Sequence, residues 1–406
     1  MKYNKITMDK KDIMIYNKTT TESENITIEQ RRRSLMIEEI KNPFNPQFGR
    51  RPQTFIGRSD LIGHLIRSYG NLNAPERTTI VSGLRGSGKT ALLSDISFRL
   101  EENANWIVIN LACTENLLSD TLEMILFKIE QRALKFPLVS KVAIKTPILN
   151  VEFEKSKTEY KSFYPTFLKV LEELKKLEIK LLITIDEVNN SKLMQEFAST
   201  YQLVIREEYE VALLMAGLPQ HVDSILNDKV LTFLWRSNHI RLSLIDPYFM
   251  KVAYEEEFQK RNITIEPDAL DYAYLATGGY PYLYQLIGYN LWEQEITSNK
   301  ITLKEVNKAT ELSKGALFQN VYSIIFRDLS SVEQKFILTM AAHDMPVETK
   351  TVRESLNKGS SYINTYRERL LRAGLIDAWS HGTFQFSLPF FREYLNEQNK
   401  RINFNA

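Results

Sequence analysis

Eight consecutive residues, Gly83-Leu84-Arg85-Gly86-Ser87-Gly88-Lys89-Thr90, have the composition and spacing of a phosphate-cradling loop, G-x-x-x-x-G-K-[ST]. Glycines let the backbone curl until successive N–H groups converge on phosphate oxygens. Ala91-Leu92-Leu93 then opens a helix whose amino-terminal end adds positive potential. In such a loop Lys89 reaches the β and γ phosphates, and the Thr90 hydroxyl ligates Mg²⁺. Gly83, Arg85, Gly86, Ser87, Gly88, Lys89, Thr90 and Ala91 are therefore the candidate ATP contacts. A second motif, Leu181-Leu182-Ile183-Thr184-Ile185-Asp186-Glu187, ends an apolar run in two acids. Asp186 is placed to hold the Mg²⁺ directly or through water, and Glu187 to orient and deprotonate an attacking water. Together these residues describe the hydrolysis of a nucleoside triphosphate to a diphosphate and phosphate.

Such groups need strand ends to carry them. The β-branched run Thr78, Thr79, Ile80, Val81 stands immediately before the loop. Further strand-like runs at Trp106 to Leu111, Leu181 to Ile185, Val211 to Ala216 and His239 to Leu244 alternate with helix-length segments. That alternation predicts an α/β unit, a parallel sheet covered on both faces, with ligands at the carboxyl edge. The stretch from about Lys135 to Tyr160 breaks the rhythm and reads as an inserted hairpin or loop. Residues 1–41 are polar and include Arg31, Arg32 and Arg33, as in a mobile arm or a short helix. Asn42 to Pro52 mixes three prolines with two phenylalanines, which favours an extended segment wrapped on a surface. From Pro247 to about Lys314 the pattern is helical, with breaks at Gly278, Gly279 and Pro281. Beyond Leu329 come three helix-length segments and two short strands joined at His381 and Gly382, the order of a winged helix. The predicted division is an arm at 1–41, a nucleotide core at 42–246, an α-helical lid at 247–318 and a winged-helix domain at 319–406.

The chain has 406 residues, 43% of them hydrophobic, with 52 Lys+Arg against 50 Asp+Glu and a formal net charge of +2. This is ordinary globular composition, which excludes wholesale disorder, collagen-like repeats and a disulfide scaffold. A lone Cys113 cannot close an internal disulfide and reads as a small buried hydrophobe on the second strand. No apolar run reaches the length of a membrane helix, and the first residues do not read as a secretory signal, so a cytoplasmic location without membrane contact is expected. The histidines show no ligand spacing. Near-neutrality excludes a strongly basic protein, so any nucleic-acid face must be local.

The two motifs, the Phe55-Ile56-Gly57-Arg58 box ahead of the loop and the helical unit after the fifth strand resemble the AAA+ superfamily of P-loop ATPases. The box is similar to its origin-recognition and STAND-type branches. The resemblance covers about residues 42–318, and the winged-helix tail, shared with origin-recognition ATPases, extends it to about 396. A group of bacterial ATP-binding proteins of mostly undefined role begins like Asn42-Pro43-Phe44-x-Pro46-x-Phe48-Gly49. The resemblance implies adenine contacts from Phe48, Ile56 and Arg58, and a nucleotide contact from Pro281 within Gly279-Tyr280-Pro281. Phe44 and Phe48 have a second reading, as packing of an extended arm on the core. Arg236, before the fifth strand, stands where such ATPases carry an arginine finger for a neighbouring subunit, with Arg241 the next choice; either also reads as a structural or surface residue. The fourth strand ends without the usual Asn or Thr sensor, leaving only Gln220 nearby, and Tyr282 to Trp292 lacks a sensor arginine. Slow hydrolysis and tight nucleotide retention follow, the behaviour of a switch rather than a motor.

Between Lys350 and Arg372 there are six Lys/Arg against two Glu. A third helix entering a DNA major groove would present Ser361, Asn364, Thr365, Arg367 and Arg369, with Ser380-His381-Gly382-Thr383 as the wing tip. Winged helices are also protein-docking modules. Two uses therefore stay open: a DNA-binding ATP switch of the replication-initiation or transposition type, oligomeric through Arg236, and a STAND-like signalling or defence switch whose winged helix binds a partner protein or locks the lid. A remodelling motor is a third reading, disfavoured by the missing sensors.

Overall fold

The computed structural model describes residues 41–47, 56–134, 163–294, 296 and 299–404. The arm with Arg31 to Arg33, the expected insert at 135–160, and Phe48 lie outside the described residues.

Strands β1 (Thr78–Ser82), β2 (Trp106–Ala112), β3 (Lys180–Asp186), β4 (Val211–Gly217) and β5 (Asn238–Arg241) form one parallel sheet in the order β2-β3-β4-β1-β5. The expected parallel sheet is present, with shifts at strand ends. β5 stops at Arg241 rather than Leu244, because Leu242 N donates to Ser82 O, the last carbonyl before β1 gives way to the loop. Alternate residues feed opposite faces, the period-2 rule of a strand. Leu181, Ile183 and Ile185 enter one core while Leu182 enters the other. Likewise Val211, Leu213 and Met215 separate from Ala212, Leu214 and Ala216. Every residue of β4 is buried, as a strand covered on both faces must be. Helices α1 (Ser59–Tyr69), α2 (Lys89–Glu101), α3 (Leu117–Gln131), α4 (Phe163–Lys176), α5 (Lys192–Arg206) and α6 (Pro219–Leu226) accompany the sheet. Cys113 falls one residue beyond β2 and is half-buried, not a core residue of the strand.

After the sheet the described chain turns mainly helical. α7 (Pro247–Gln259), α8 (Pro267–Ala276), α9 (Pro281–Trp292) and α10 (Leu303–Leu317) form the helical unit expected as a lid, and called the lid below, with a small parallel pair of β6 (Thr264–Ile265) and β7 (Lys300–Ile301). Proline opens three of these helices, where its missing N–H is not needed. The sequence boundary at 318 falls inside a continuous helical run, since α10 passes through a π-helical turn at Phe318–Tyr322 into α11 (Ser323–Asp328).

A carboxyl-terminal unit follows with α12 (Ser331–Ala341), β8 (Val347–Glu348), α13 (Thr349–Leu356), α14 (Ser360–Ala373), β9 (Ile376–Ser380), β10 (Thr383–Phe386) and α15 (Phe391–Phe404). Ser330 and Glu333 form the capping box that starts α12, a stabilisation of about 1 kcal/mol. Strand β8, too short to show a period, and α15 were not legible in the sequence. The strands pair antiparallel in the order β8-β10-β9. Lid and carboxyl-terminal unit share one hydrophobic cluster, running from Met250 through Tyr322 to Leu395.

That cluster also corrects the placement of the Asn42 segment in the nucleotide core. Phe44 is buried against Tyr254, Phe258, Tyr284 and Trp292 of the lid. Gly288 makes the room: a Cβ there would lie 2.2 Å from the Phe44 ring. Asn42 Nδ2 donates to Glu293 Oε1 at 2.7 Å, and Asn45 N to Gln285 Oε1 at 2.7 Å. Of the two readings of Phe44, packing is the one the structure holds, on the lid rather than the sheet.

Candidate nucleotide site

β1 runs out at Ser82, residues 83–88 curl, and α2 starts at Lys89 with Gly88 as its left-handed N-cap at φ +88°. Gly86 is also left-handed, at φ +72°, and here the sequence required glycine twice over. A Cβ on Gly86 would meet the Tyr280 hydroxyl of the lid at 2.3 Å and Tyr282 Cβ at 2.9 Å. The Tyr280 hydroxyl donates to the Arg85 carbonyl, so lid and loop are already joined. Tyr280 was missed in the sequence; its position directly ahead of Pro281 was the available signal. Pro281 is the first residue of α9, and its turn is fixed by Gly279, where φ is +75° and a Cβ would lie 2.2 Å from the Ile245 carbonyl oxygen.

Lys89 is almost fully buried and its Nζ donates to the carbonyls of Gly83 and Leu84, each at 3.0 Å. Burial pulls its ammonium below the ordinary lysine range, against the raising influence of Glu187 and Asp186. A phosphate arriving in the loop would give this cation the anion it lacks. The carboxyl end of β3 supplies the acids. Thr90 Oγ1 donates to Asp186 Oδ2 at 2.6 Å, and Glu187 N donates to Asp186 Oδ1 at 2.9 Å. Glu187 is half-buried and holds φ +53°, an uncommon conformation for a non-glycine residue. The structure thus brings together Lys89, Thr90, Asp186 and Glu187. The residues fit a bound phosphate on an independent ground: Ser87 Oγ, inside the loop, is buried with no hydrogen-bond partner.

Residues 54–211 match the family model of the AAA ATPase domain. Those residues, which carry the loop and both acids, are an AAA ATPase domain. Residues 319–395 match a second family, a domain of unknown function (DUF8462). No curated protein matches the chain in sequence. Among solved structures, a Walker-type ATPase of Pyrococcus abyssi superposes with a TM-score of 0.61 at 16% identity, over 85% of this chain and 97% of that one. The ORC2 protein of Aeropyrum pernix, solved with ADPNP and ADP, gives a TM-score of 0.60 at 15% identity, over 88% and 98%. At these identities the likeness is one of fold.

Other candidate residues of the AAA domain and its lid are arranged differently from expectation. Arg58 is buried, with Nη1 donating to Ser87 O at 2.7 Å and Nη2 to Ser243 O at 2.9 Å; burial pulls its guanidinium down to about 10. It ties the loop to the exit of β5 and has little surface left for a base. Ile56 packs with the lid cluster, and Gly57 sits against Ile245 and Phe249. Ala91 is half-buried in the first turn of α2. At the exit of β4, Gly217 packs on Val188 and Gln220 is exposed. Arg236 is exposed on the turn before β5, at the sheet edge away from this chain's own loop. Arg241 ends β5 beside Ser82, so it is Arg241 that the structure brings to the phosphate edge.

On α14, Ser361, Asn364, Thr365 and Arg369 are exposed. Arg367 is half-buried and bonded to Glu368 at 2.9 Å, while Arg369 lies over the Tyr366 ring. Among the described residues no helix is long and apolar enough to cross a membrane.

Proposed function

We propose that the chain is an ATP-operated switch whose carboxyl-terminal unit is a winged helix that binds double-stranded DNA. Lys89, Ser87 and the loop amides bind the phosphates; Thr90 and Asp186 would hold Mg²⁺, which neutralises charge on the phosphate oxygens. Glu187 orients the attacking water and accepts its proton. Pro281 and Tyr280 bring the lid over the loop. The β4 exit offers packed Gly217 and Val188 where a polar sensor would stand, which supports slow turnover. A steady-state rate of many turnovers per second would overturn that part. Arg236, exposed and away from its own loop, is free to serve a neighbouring copy in an oligomer.

The observation that carries the switch is the position of α14. Its amino-terminal half exposes Ser361, Asn364 and Thr365 to solvent, while its last turn is bonded to Arg241 at the phosphate edge and Gly374 behind it stands against Leu84 of the loop. A helix open at one end and held at the other can report nucleotide to DNA. DNA binding across a salt series, with and without ATP, tests this on the intact chain and on an Asn364→Ala, Arg369→Ala pair, since each phosphate contact contributes roughly one unit of logarithmic slope. Steep salt dependence that weakens in the variant supports DNA contact.

One observation favours the second reading, a STAND-like signalling or defence switch with a protein-docking winged helix. Arg367 is bonded to a glutamate, and the wing carries Trp379, 62% exposed, in place of basic residues. Absent or salt-insensitive DNA binding selects that reading.

A further inference from the structure

Arg241 has no part in the scheme above, yet it joins the phosphate edge of the sheet to the end of α14. Its Nη2 donates to the carbonyl oxygens of Leu371 and Arg372, each at 3.1 Å. These belong to the last turn, where carbonyls run out of helical partners and a cation is favoured. Gly374 closes the helix in the left-handed conformation at φ +75°, and a Cβ there would stand 3.4 Å from Leu84 of the loop and 3.5 Å from Arg241. Between the loop and this helix end lies a cavity of about 490 Å³ lined by Gly83, Leu84, Ser87, Arg241, Tyr280 and Asp377. Its polar lining includes the partnerless Ser87 hydroxyl. A second arginine makes the same kind of crossing, Arg85 of the loop pairing with Asp328 of α11 at 3.2 Å.

Neutral carbonyls are a modest partner for a guanidinium, and a phosphate dianion is a far better one. We propose that Arg241 is shared between the terminal phosphate of ATP and the carboxyl end of α14, so that ATP draws it away and frees the helix while ADP leaves it in place. The assignment rests on the reading of residues 83–90 as the nucleotide loop. It makes Arg241 a residue that discriminates triphosphate from diphosphate in its own chain. By linkage, whatever pulls α14 off the loop raises the affinity for ATP by the same factor that ATP loosens α14.

The test uses the full chain. Hydrogen exchange at residues 370–375 is followed without nucleotide, with ADP and with a non-hydrolysable ATP analogue, and both affinities are measured by calorimetry. The expected result is slow exchange without nucleotide and with ADP, and faster exchange with the analogue. In Arg241→Ala, analogue affinity falls roughly ten- to hundredfold, the worth of a hydrogen bond to a charged group, with ADP affinity within about threefold of wild type. Its α14 end exchanges fast in all three states. Arg241→Lys, which keeps the charge but not the fork, gives smaller changes in the same directions and guards against a folding artefact. Equal exchange with ADP and analogue in the wild type overturns the proposal, as does a folded alanine variant with unchanged nucleotide preference. A wild-type chain that binds neither nucleotide instead overturns the reading of the loop on which the proposal stands.

Discussion

The sheet and the helical body hold themselves together in opposite ways. The sheet unit has two cores, one on each face, divided by strands whose alternate residues serve each. The lid, the Asn42 segment and the carboxyl-terminal unit have one core in common, from Phe44 to Leu395. The contacts across the seam between them that bear on the site are mostly polar: Tyr280 to the Arg85 carbonyl, Arg241 to α14, Arg85 to Asp328, and Ile245 N to Gly279 O. Close-packed apolar contact resists being opened, whereas exposed polar contact exchanges readily with water or a ligand. The difference teaches where motion belongs. One shared core binds the lid to the carboxyl-terminal unit, and the phosphate loop lies on the seam between that body and the sheet.

The largest effect is expected on chemistry confined to the sheet side. Glu187→Gln should lower single-turnover hydrolysis by about 10²- to 10⁴-fold while ATP still binds; equal loss from changes in the lid core would show that the two bodies cannot be separated. Phe44→Ala should cost about 3–5 kcal/mol of stability, read as faster hydrogen exchange throughout α7, α9 and α10 with the protection of β1 to β4 retained. Loss of protection in both bodies together would break the comparison. Gly288→Ala pushes a methyl into the same ring and should cost about 1–3 kcal/mol with the same pattern. Asp328→Asn, at the seam itself, should change stability by no more than about 1 kcal/mol, because both partners are partly solvated. A large drop in melting temperature there would mean the seam is structural.

Much of the sheet was legible because its strands are short, apolar and carry their motifs at their ends. Thr78 to Ser82 followed by the glycine loop needs no partner to be recognised, and Asp186-Glu187 closes an apolar run that has one possible setting. What escaped was whatever depends on a partner distant in sequence. From sequence Phe44 reads as part of an arm over a base or as packing of that arm on the core, and the lid pocket that decides is built by Tyr254, Phe258, Tyr284 and Trp292, with Gly288 leaving the space. Arg58 looks like a ligand contact until its two carbonyl acceptors, Ser87 and Ser243, are seen to come from separate segments. The boundary at 318 falls where the second family match begins, yet no helix end marks it, because a π-helical turn carries the run on to Asp328.

That uninterrupted run, from Leu303 through the π-helical turn to Asp328, has a mechanical consequence. Its 1.5 Å rise per residue gives it a length of about 35–40 Å, so it is a lever. Its carboxyl end, at Asp328, sits beside Arg85 of the loop, and Tyr322 in the π turn is packed on Phe391 and Tyr394 of the carboxyl-terminal unit. A rotation of about 10° about one end of such a rod displaces the other by about 6–7 Å. A small tilt set at the loop end, where Asp328 meets Arg85, would in this way be enlarged into a shift of about one helical turn at Leu303, the far end of the helical body.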